Sequence, residues 1–463
     1  YLVKARGMST PNISIFAPNG SKFRTLFYTT IISVLSNFYQ AYAISYTNTA
    51  VESFRAFINE SYVKRGTPLS PSASLWIWSM MLNCVIIGNL AGTVFSPIMT
   101  EKYGRRSQLI NFGAITLIMM ECPKTELRGT CYFIAGTTFT ATMVVGTVLG
   151  MDIIIGDNVL LIVGIGAIPT LLCCLFMLPT KETPKYLLVK ENNRQAAMES
   201  LIFYQGYEVD HQKFLDETLK EEEDSHCEVS TLVLLKEIFY KPYLMRAVLL
   251  GIASMQLIVG FWPISTQLLM AHFPLGTAQM FSSIFNGVSF LSGITGVFII
   301  GRVQRRKLMV GSSIASLFFL MGYIMFDRLA ILVAPIFKYG CFATMFLCHV
   351  FFGVGYGTIA FYITGELLPQ LHRSLGQSVV FFVTLAVSFF FSFVTLPAYE
   401  TYSVWAFIPL FVIPGIVCVI YLYLYLPETR GKEIHEIVEE MKQSFKTATS
   451  RESLNPASEP TNF

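Results

Sequence analysis

Charge is what this sequence has least of. Asp, Glu, Lys and Arg make up 14% of its 463 residues, against about a quarter in an average soluble domain. Together with 53% hydrophobic residues and a mean hydropathy of +0.55, that scarcity excludes both an ordinary water-soluble enzyme and a disordered chain. No paired buried carboxylates, nucleophile–base motif or phosphate-cradling loop can be found, so catalysis has no support. The net charge of +3 sits in short clusters between apolar runs, too little for a nucleic-acid partner. Of nine cysteines, seven fall inside apolar runs and two, Cys122 and Cys227, in charged stretches expected in the cytosol. A disulfide framework is therefore not expected, no Cys/His spacing suggests zinc, and no cofactor is implied.

What the chain does have is long apolar runs rich in Phe, Tyr and Gly, the usage of helices that touch one another in lipid. Ten reach the length of about 20 residues that spans hydrocarbon, near 26–46, 75–99, 131–151, 159–178, 243–262, 281–300, 308–326, 339–365, 377–397 and 405–426. They are too long and too uniform for barrel strands. The expected fold is an all-α membrane protein. Lys102, Arg105 and Arg106 follow the second span, Lys124 and Arg128 precede the third, and Arg302, Arg305, Arg306 and Lys307 follow the sixth, whereas 152–158 and 263–280 have no Lys or Arg. The basic loops belong in the cytosol. This gives a cytosolic tail at 1–25, a first bundle at 26–178, a charged cytosolic linker at 179–242, a second bundle at 243–426 and a cytosolic tail at 427–463.

Three motifs recur, once per half and in the same order. Glu101-Lys102-Tyr103-Gly104-Arg105-Arg106 is echoed by Arg302-Val303-Gln304-Arg305-Arg306; Glu121-Cys122-Pro123 with Arg128-Gly129 is echoed by Glu366-Leu367-Leu368-Pro369 with Arg373; and Glu182-Thr183-Pro184 is echoed by Pro427-Glu428-Thr429-Arg430-Gly431-Lys432. An internal repeat of this kind marks transporters whose two bundles rock about a central site. The set resembles the sugar porter family of the major facilitator superfamily, and most closely its facilitative glucose transporter branch, from about Leu26 to Met441. The resemblance implies a two-bundle fold and facilitative transport of a hexose or related carbohydrate by alternating access. A transporter-like sensor or a transport-defective splice product is the alternative. It also implies gating by Arg–Glu contacts at cytosolic span ends, with Glu101, Arg105, Arg106, Arg128, Glu182, Arg302, Glu366, Arg373 and Glu428 as the candidate residues. Snorkelling at the membrane interface is the other reading for any single Arg.

In the family, a seventh-helix Gln-Gln-Leu-Ser-Gly-Ile-Asn stretch binds sugar. Here it reads Met255-Gln256-Leu257-Ile258-Val259-Gly260-Phe261, so only Gln256 survives. Gly136 stands at the fifth-helix Gln position and Phe361 at the tenth-helix Trp position. Gln256, Phe261, Gly357 and Phe361 are the candidate substrate contacts, in a cavity more apolar than a glucose site; lipid or core packing is the competing reading for the two Phe residues. Proton-coupled relatives carry a carboxylate in the first span, where Tyr42-Ala43-Ile44-Ser45 has none. Uniport is expected.

One departure is large. The family places two full helices between the second-span motif and the Glu…Pro…Arg-Gly motif, yet here only Ser107–Met120 lies between Arg106 and Glu121. A helix of that length reaches about 21 Å, short of the roughly 30 Å core. Ten spans plus one short apolar segment are expected instead of twelve.

Asn59-Glu60-Ser61 is an acceptor sequon in the loop after the first span, outside by the basic-loop argument, whereas Asn12 and Asn19 precede that span in the cytosol. Protein from a secretory-pathway host should lose mass on glycosidase treatment, and Asn59→Gln should abolish the shift. A shift removed by Asn12→Gln instead would invert the topology.

Overall fold

In a computed structural model, the described residues are 21–104, 122, 123, 125–177, 180–189, 191–206, 211, 212, 215, 216, 219, 231–260, 262–432, 434 and 436–443. Among them every regular element is a helix. The first half holds α1 (Ser21–Thr49), α2 (Val51–Lys64), α3 (Pro71–Tyr103), α4 (Thr125–Leu149), α5 (Val159–Ile165) and α6 (Ala167–Met177). A polar connector carries α7 (Pro184–Val189), α8 (Arg194–Gln205) and α9 (Thr231–Tyr240). The second half holds α10 (Pro242–Gln256), α11 (Ser265–Met270), α12 (Leu275–Ile299), α13 (Arg305–Leu332), α14 (Lys338–Phe351), α15 (Gly357–Leu367), α16 (Gln370–Tyr402) and α17 (Ile413–Tyr425).

Several helices start where a side chain can occupy a free first-turn N–H. The Ser70 hydroxyl accepts from the Ala73 N–H at 3.2 Å just ahead of Pro71, and the Asn158 and Asn193 amides accept from Leu161 and Ala196 at 3.1 and 2.9 Å. Seven described helical runs are long and apolar enough to cross a membrane: Pro71–Phe95, Gly129–Leu149, Leu275–Ile299, Arg305–Leu332, Pro335–Leu367, Leu371–Ala406 and Ile408–Tyr425. The other three expected spans differ for physical reasons. The first, α1, has 29 residues but carries Thr, Ser and Asn along its length. The run at 159–178 is divided at Gly166 into α5 and α6, and the run at 243–262 stops as an α-helix at Gln256 before a short 3₁₀ turn at Trp262–Ile264. The short segment 107–120 lies outside the described residues.

Two seams join the halves, α3 against α16 and α4 against α12. Both ends of the molecule can be recognised by their contacts. At one, Arg24 Nε donates to the Phe203 carbonyl (2.8 Å), the Thr25 hydroxyl to Tyr204 (3.0 Å) and Gln205 Nε2 to Cys122 (2.7 Å), so α8 holds the start of α1 and the residue before Pro123. On the second half, the His372 imidazole donates to Glu237 of α9 at 2.8 Å. Hydrogen bonds from Lys241 and then His372 keep the Glu237 carboxyl below the usual range. This is the linker end; the opposite one is the far end. The expected acceptor Asn59 lies in α2 at the far end, exposed, its carbonyl oxygen taking a 3.0 Å hydrogen bond from Ser74.

Lipid supplies no hydrophobic drive between helices, so their association depends on close fit. The tightest described approach in the second half is at Gly353, in the π-helical turn Phe352–Tyr356, where a Cβ would lie 2.3 Å from the Ser289 carbonyl oxygen of α12. Gly287, on the same α12, has nothing within 4 Å of its Cβ position. Gly353→Ala should therefore destabilise the detergent-purified protein by about 1–3 kcal/mol, while Gly287→Ala should be neutral or slightly stabilising. Equal unfolding temperatures for the two variants would contradict this packing.

Candidate functional site

Between the halves lies a central cavity of about 250 Å³, a little below the roughly 300–1,000 Å³ of typical small-molecule sites. The first half supplies Gln40 from α1, Asn89 and Thr93 from α3, and Phe139 and Thr140 from α4. The second supplies Asn286 and Ser289 from α12, His349 from α14, and from α16 the stripe Ser378, Phe381, Leu385, Ser388 and Ser392, whose alternating three- and four-residue spacing keeps it on one helix face. No Asp, Glu, Lys or Arg lines the cavity among the described residues. His349 donates from Nδ1 to the Met345 carbonyl at 2.9 Å, which leaves Nε2 the acceptor nitrogen of a neutral ring. The surface therefore offers hydroxyl, amide and imidazole hydrogen bonds between aromatic faces, a chemistry suited to an uncharged polar solute.

The expected substrate contacts are only partly brought together. Phe361 lines the cavity, its ring 6.4 Å from that of Phe139 across the halves. Gln256 is placed elsewhere, in an adjoining pocket of about 50 Å³ inside the second half, while its neighbour Met255 lines the cavity. The reason is helix phase: one residue turns a side chain by about a quarter turn. Gly357 lies behind the Phe352 ring, in a recess of about 10 Å³ beside the cavity. Phe261 falls outside the described residues. Asn286 of α12 lines the cavity as well. Gly136 acquires a reason: a Cβ there would sit 2.6 Å from the Thr358 hydroxyl of α15, so the helices of the two halves approach where a longer side chain would hold them apart.

At the linker end, Glu366 is 4% exposed and pairs with the Arg305 guanidinium. Arg305 also reaches the Thr429 hydroxyl at 3.4 Å and lies 5.8 Å from the centre of the Tyr362 ring. Tyr362 stacks on Tyr132 of α4 at 4.0 Å and 7°. A Cβ on Gly129, also of α4, would be 2.9 Å from Arg305 Nη2, so this cluster closes the seam between the halves. Glu428 accepts from the backbone N–H groups of Arg305 (3.0 Å), Arg306 (3.2 Å) and Arg430 (3.0 Å). It thereby caps α13 and fixes the arginine that meets Glu366.

The motifs named gate candidates without pairing them; among the described residues Glu366 is met by Arg305. Arg373 is buried in the first turn of α16. Arg302 is exposed and takes part through its carbonyl, which accepts from Arg430 Nη1 at 2.7 Å. The Glu182 carboxylate lies against Gly104 of the first motif, as it would have to for a contact between span ends. Arg105 and Arg106, and the side chains of Glu101 and Arg128, lie outside the described residues.

The far end is closed by uncharged groups. Asn48 of α1 donates from Nδ2 to the Ser265 hydroxyl (2.8 Å) and accepts at Oδ1 from the Thr266 N–H (3.1 Å), and Gln279 Nε2 donates to the Thr49 carbonyl (2.8 Å). Sequence reasoning missed this lock. Amides and hydroxyls at span ends carry no signal until their partners across the halves are known.

The family model described as "Sugar (and other) transporter" matches residues 28–123 and 114–441. The mouse facilitated glucose transporter member 2 of solute carrier family 2 is 23% identical over 426 aligned positions, covering 81% of this chain and 79% of that protein. Human member 9 is 24% identical over 483 positions, covering 91% and 86%. Among solved structures, the proton:xylose symporter XylE bound to 6-bromo-6-deoxy-D-glucose superposes with a TM-score of 0.73 at 12% identity, over 90% of this chain and 99% of that one. A partially occluded inward-open form of the Escherichia coli xylose transporter gives 0.66 at 13%, over 89% and 99%. The fold is that of the major facilitator superfamily. With a cavity between two halves, closing contacts at both ends and a family match over most of its length, the chain belongs to the sugar transporter family, near its facilitated glucose transporter branch, and is a non-enzymatic membrane transporter.

Proposed function

We propose that the protein moves a neutral hexose or related carbohydrate down its gradient by alternating access, without a coupled ion. The observation that carries this reading is the cavity itself: uncharged hydrogen-bonding groups from both halves, interleaved with Phe rings, and contacts between the halves above and below. Proton coupling needs a carboxylate or an imidazole whose proton the rocking motion can exchange; no described lining residue is a carboxylate, and the one imidazole, His349, is tied by Nδ1 to the Met345 carbonyl of its own helix. Phe361 stacks on the sugar face and Asn286 with His349 Nε2 accepts or donates to its hydroxyls. Glu366 and Arg305 form the gate at the linker end, which we place in the cytosol with both termini. The plasma membrane is the proposed location.

A topology of ten crossings supports this orientation. Gly104 rests against Glu182 and Tyr186, and Cys122 against Gln205, so both flanks of 105–121 meet the same connector. A second reading, a chain that binds solute but transports poorly, is favoured by one observation. The alignment with mouse member 2 runs over 426 positions and takes in 81% of this chain, so part of that relative has no counterpart residue here.

Purified protein in liposomes should take up labelled hexose with saturable kinetics and no dependence on an imposed pH gradient. Uptake that needs the gradient would overturn uniport, and binding without saturable flux would establish the second reading. Glu366→Gln should lower flux at least tenfold with binding changed less than threefold, because stranding a buried Arg305 acts on the gate. Unchanged flux would remove Glu366 from that role. In the proposed topology, a cysteine replacing Lys124 should react with an impermeant thiol reagent only after cells are permeabilised; labelling from outside would refute ten crossings.

A further inference from the structure

At the far end of the second half, three metal-ligating side chains from separate segments converge where neither the transport cavity nor the seam reaches. His272 lies in the turn between α11 and α12, Asp327 in the last turns of α13, and Cys341 in the first turn of α14. Their ligating atoms all lie within 4.8 Å of one another. Asp327 is 1% exposed and divides its two oxygens. Oδ2 takes Arg328 Nε at 3.0 Å and Nη2 at 2.6 Å, whereas Oδ1 faces His272 Nε2 at 2.7 Å. Arg328 Nη2 is in turn fixed by the Ser403 hydroxyl. The thiol of Cys341 is fully buried, and the His272 ring, 8% exposed, is the most open of the three ligands.

We propose that His272, Asp327 and Cys341 form a binding site for a divalent transition metal, with zinc as the best match. Nitrogen, oxygen and thiolate donors together select a borderline-soft ion over magnesium or calcium, which take oxygen only. Zinc bonds of about 2.0–2.3 Å to such donors are compatible with ligating atoms this close, once His272 swings slightly away from Asp327. The Asp327 carboxylate and the Cys341 thiolate offset two of the three positive charges that zinc and Arg328 bring together, which leaves one net positive charge beside the open position; Arg328 need not leave. It stays on Oδ2 as the outer partner that orients the ligating carboxylate. On binding, the Cys341 thiol proton passes to solvent, and His272 remains neutral by shifting its proton from Nε2 to Nδ1, which frees Nε2 for the metal. Three protein ligands leave a fourth, open position for water on the side of the exposed histidine. The site ties the α11–α12 turn to α13 and α14, so a bound ion restrains the segment that carries Ser265 and Thr266 to their Asn48 partner in the far-end lock.

The test uses the full-length protein purified in detergent, with zinc chloride titrated against a chromophoric competing chelator. One equivalent should bind, releasing one proton, and His272→Gln and Cys341→Ala should each weaken binding at least a hundredfold while leaving the zinc-free unfolding temperature within a few degrees. Cobalt(II) in place of zinc should give the intense visible bands of a tetrahedral site and a thiolate charge-transfer band lost in Cys341→Ala. Binding unchanged in both variants, or no stoichiometric binding at all, overturns the proposal. If one variant fails to fold, the cobalt spectrum of the other decides it, since a site lacking His272 or Cys341 as a ligand leaves the bands as they were.

Discussion

A guanidinium buried between two moving bodies has to be neutralised wherever the bodies meet, and in this protein that group is Arg305. Its head is held by Glu366, its backbone N–H by Glu428, and its flank rests on Tyr362 and on the bare backbone of Gly129. Removing one partner from a buried pair costs about 3–5 kcal/mol because the other charge is stranded. The seam at the linker end can therefore separate only if the pair stays together on the second half, or if water enters as the tyrosines part. The first course fits the contacts. Glu366, Glu428, Thr429 and Tyr362 all belong with Arg305 to the second half, and among the described residues the first half contributes Tyr132 and Gly129. Opening then breaks an aromatic stack and a backbone contact, and no buried charge is left alone.

The closing motif of the second half thus acts through geometry and not across the seam. Glu428 spends its carboxylate on three backbone N–H groups at the head of α13, and Arg430 reaches back to the Arg302 carbonyl. Together they lock the turn between α12 and α13, so that Arg305 leaves α13 in the one direction that meets Glu366. The first half shows a related arrangement in its described part, with Glu182 against Gly104.

Much of this was legible from the sequence. Fold class followed from motifs whose order is as informative as their residues, and the same motifs singled out Glu366 and Glu428, both of which meet Arg305 in the structure. The partner of Glu366 was not legible, because Arg305 and Arg373 are both basic residues at span ends and sequence gives no depth or direction for either. The cavity-facing side was not legible at Gln256 either: it is the last residue of a mostly apolar helix with no polar stripe to set the phase, and Met255 lines the cavity while Gln256 lies in the adjoining pocket. Gly136 looked like a lost sugar contact and proves to be a point of close approach to Thr358. His272, Asp327 and Cys341 are separated by too many residues for any spacing rule to join them.

The two ends differ in kind: one encloses a buried ion pair and the other is closed by uncharged groups. At the far end three neutral hydrogen bonds at Asn48 and Gln279, each worth about 0.5–1.5 kcal/mol net, accompany apolar contacts between the halves, Trp76 against Phe393 at 5.0 Å and Leu396 in the cluster of Leu75 and Trp78. At the linker end the stacked tyrosines and the Arg305 contact with Gly129 shield a charged pair, so parting them brings that pair toward water and exposes aromatic surface as well. Opening the far end moves no buried charge, so in the proposed cycle solute can exchange there without disturbing the Arg305–Glu366 pair. In the proposed cycle, a solute that touches Phe361 of α15 and Phe139 of α4 together would act on how those two helices meet at Gly136 and, a few turns further on, at the Tyr132–Tyr362 stack.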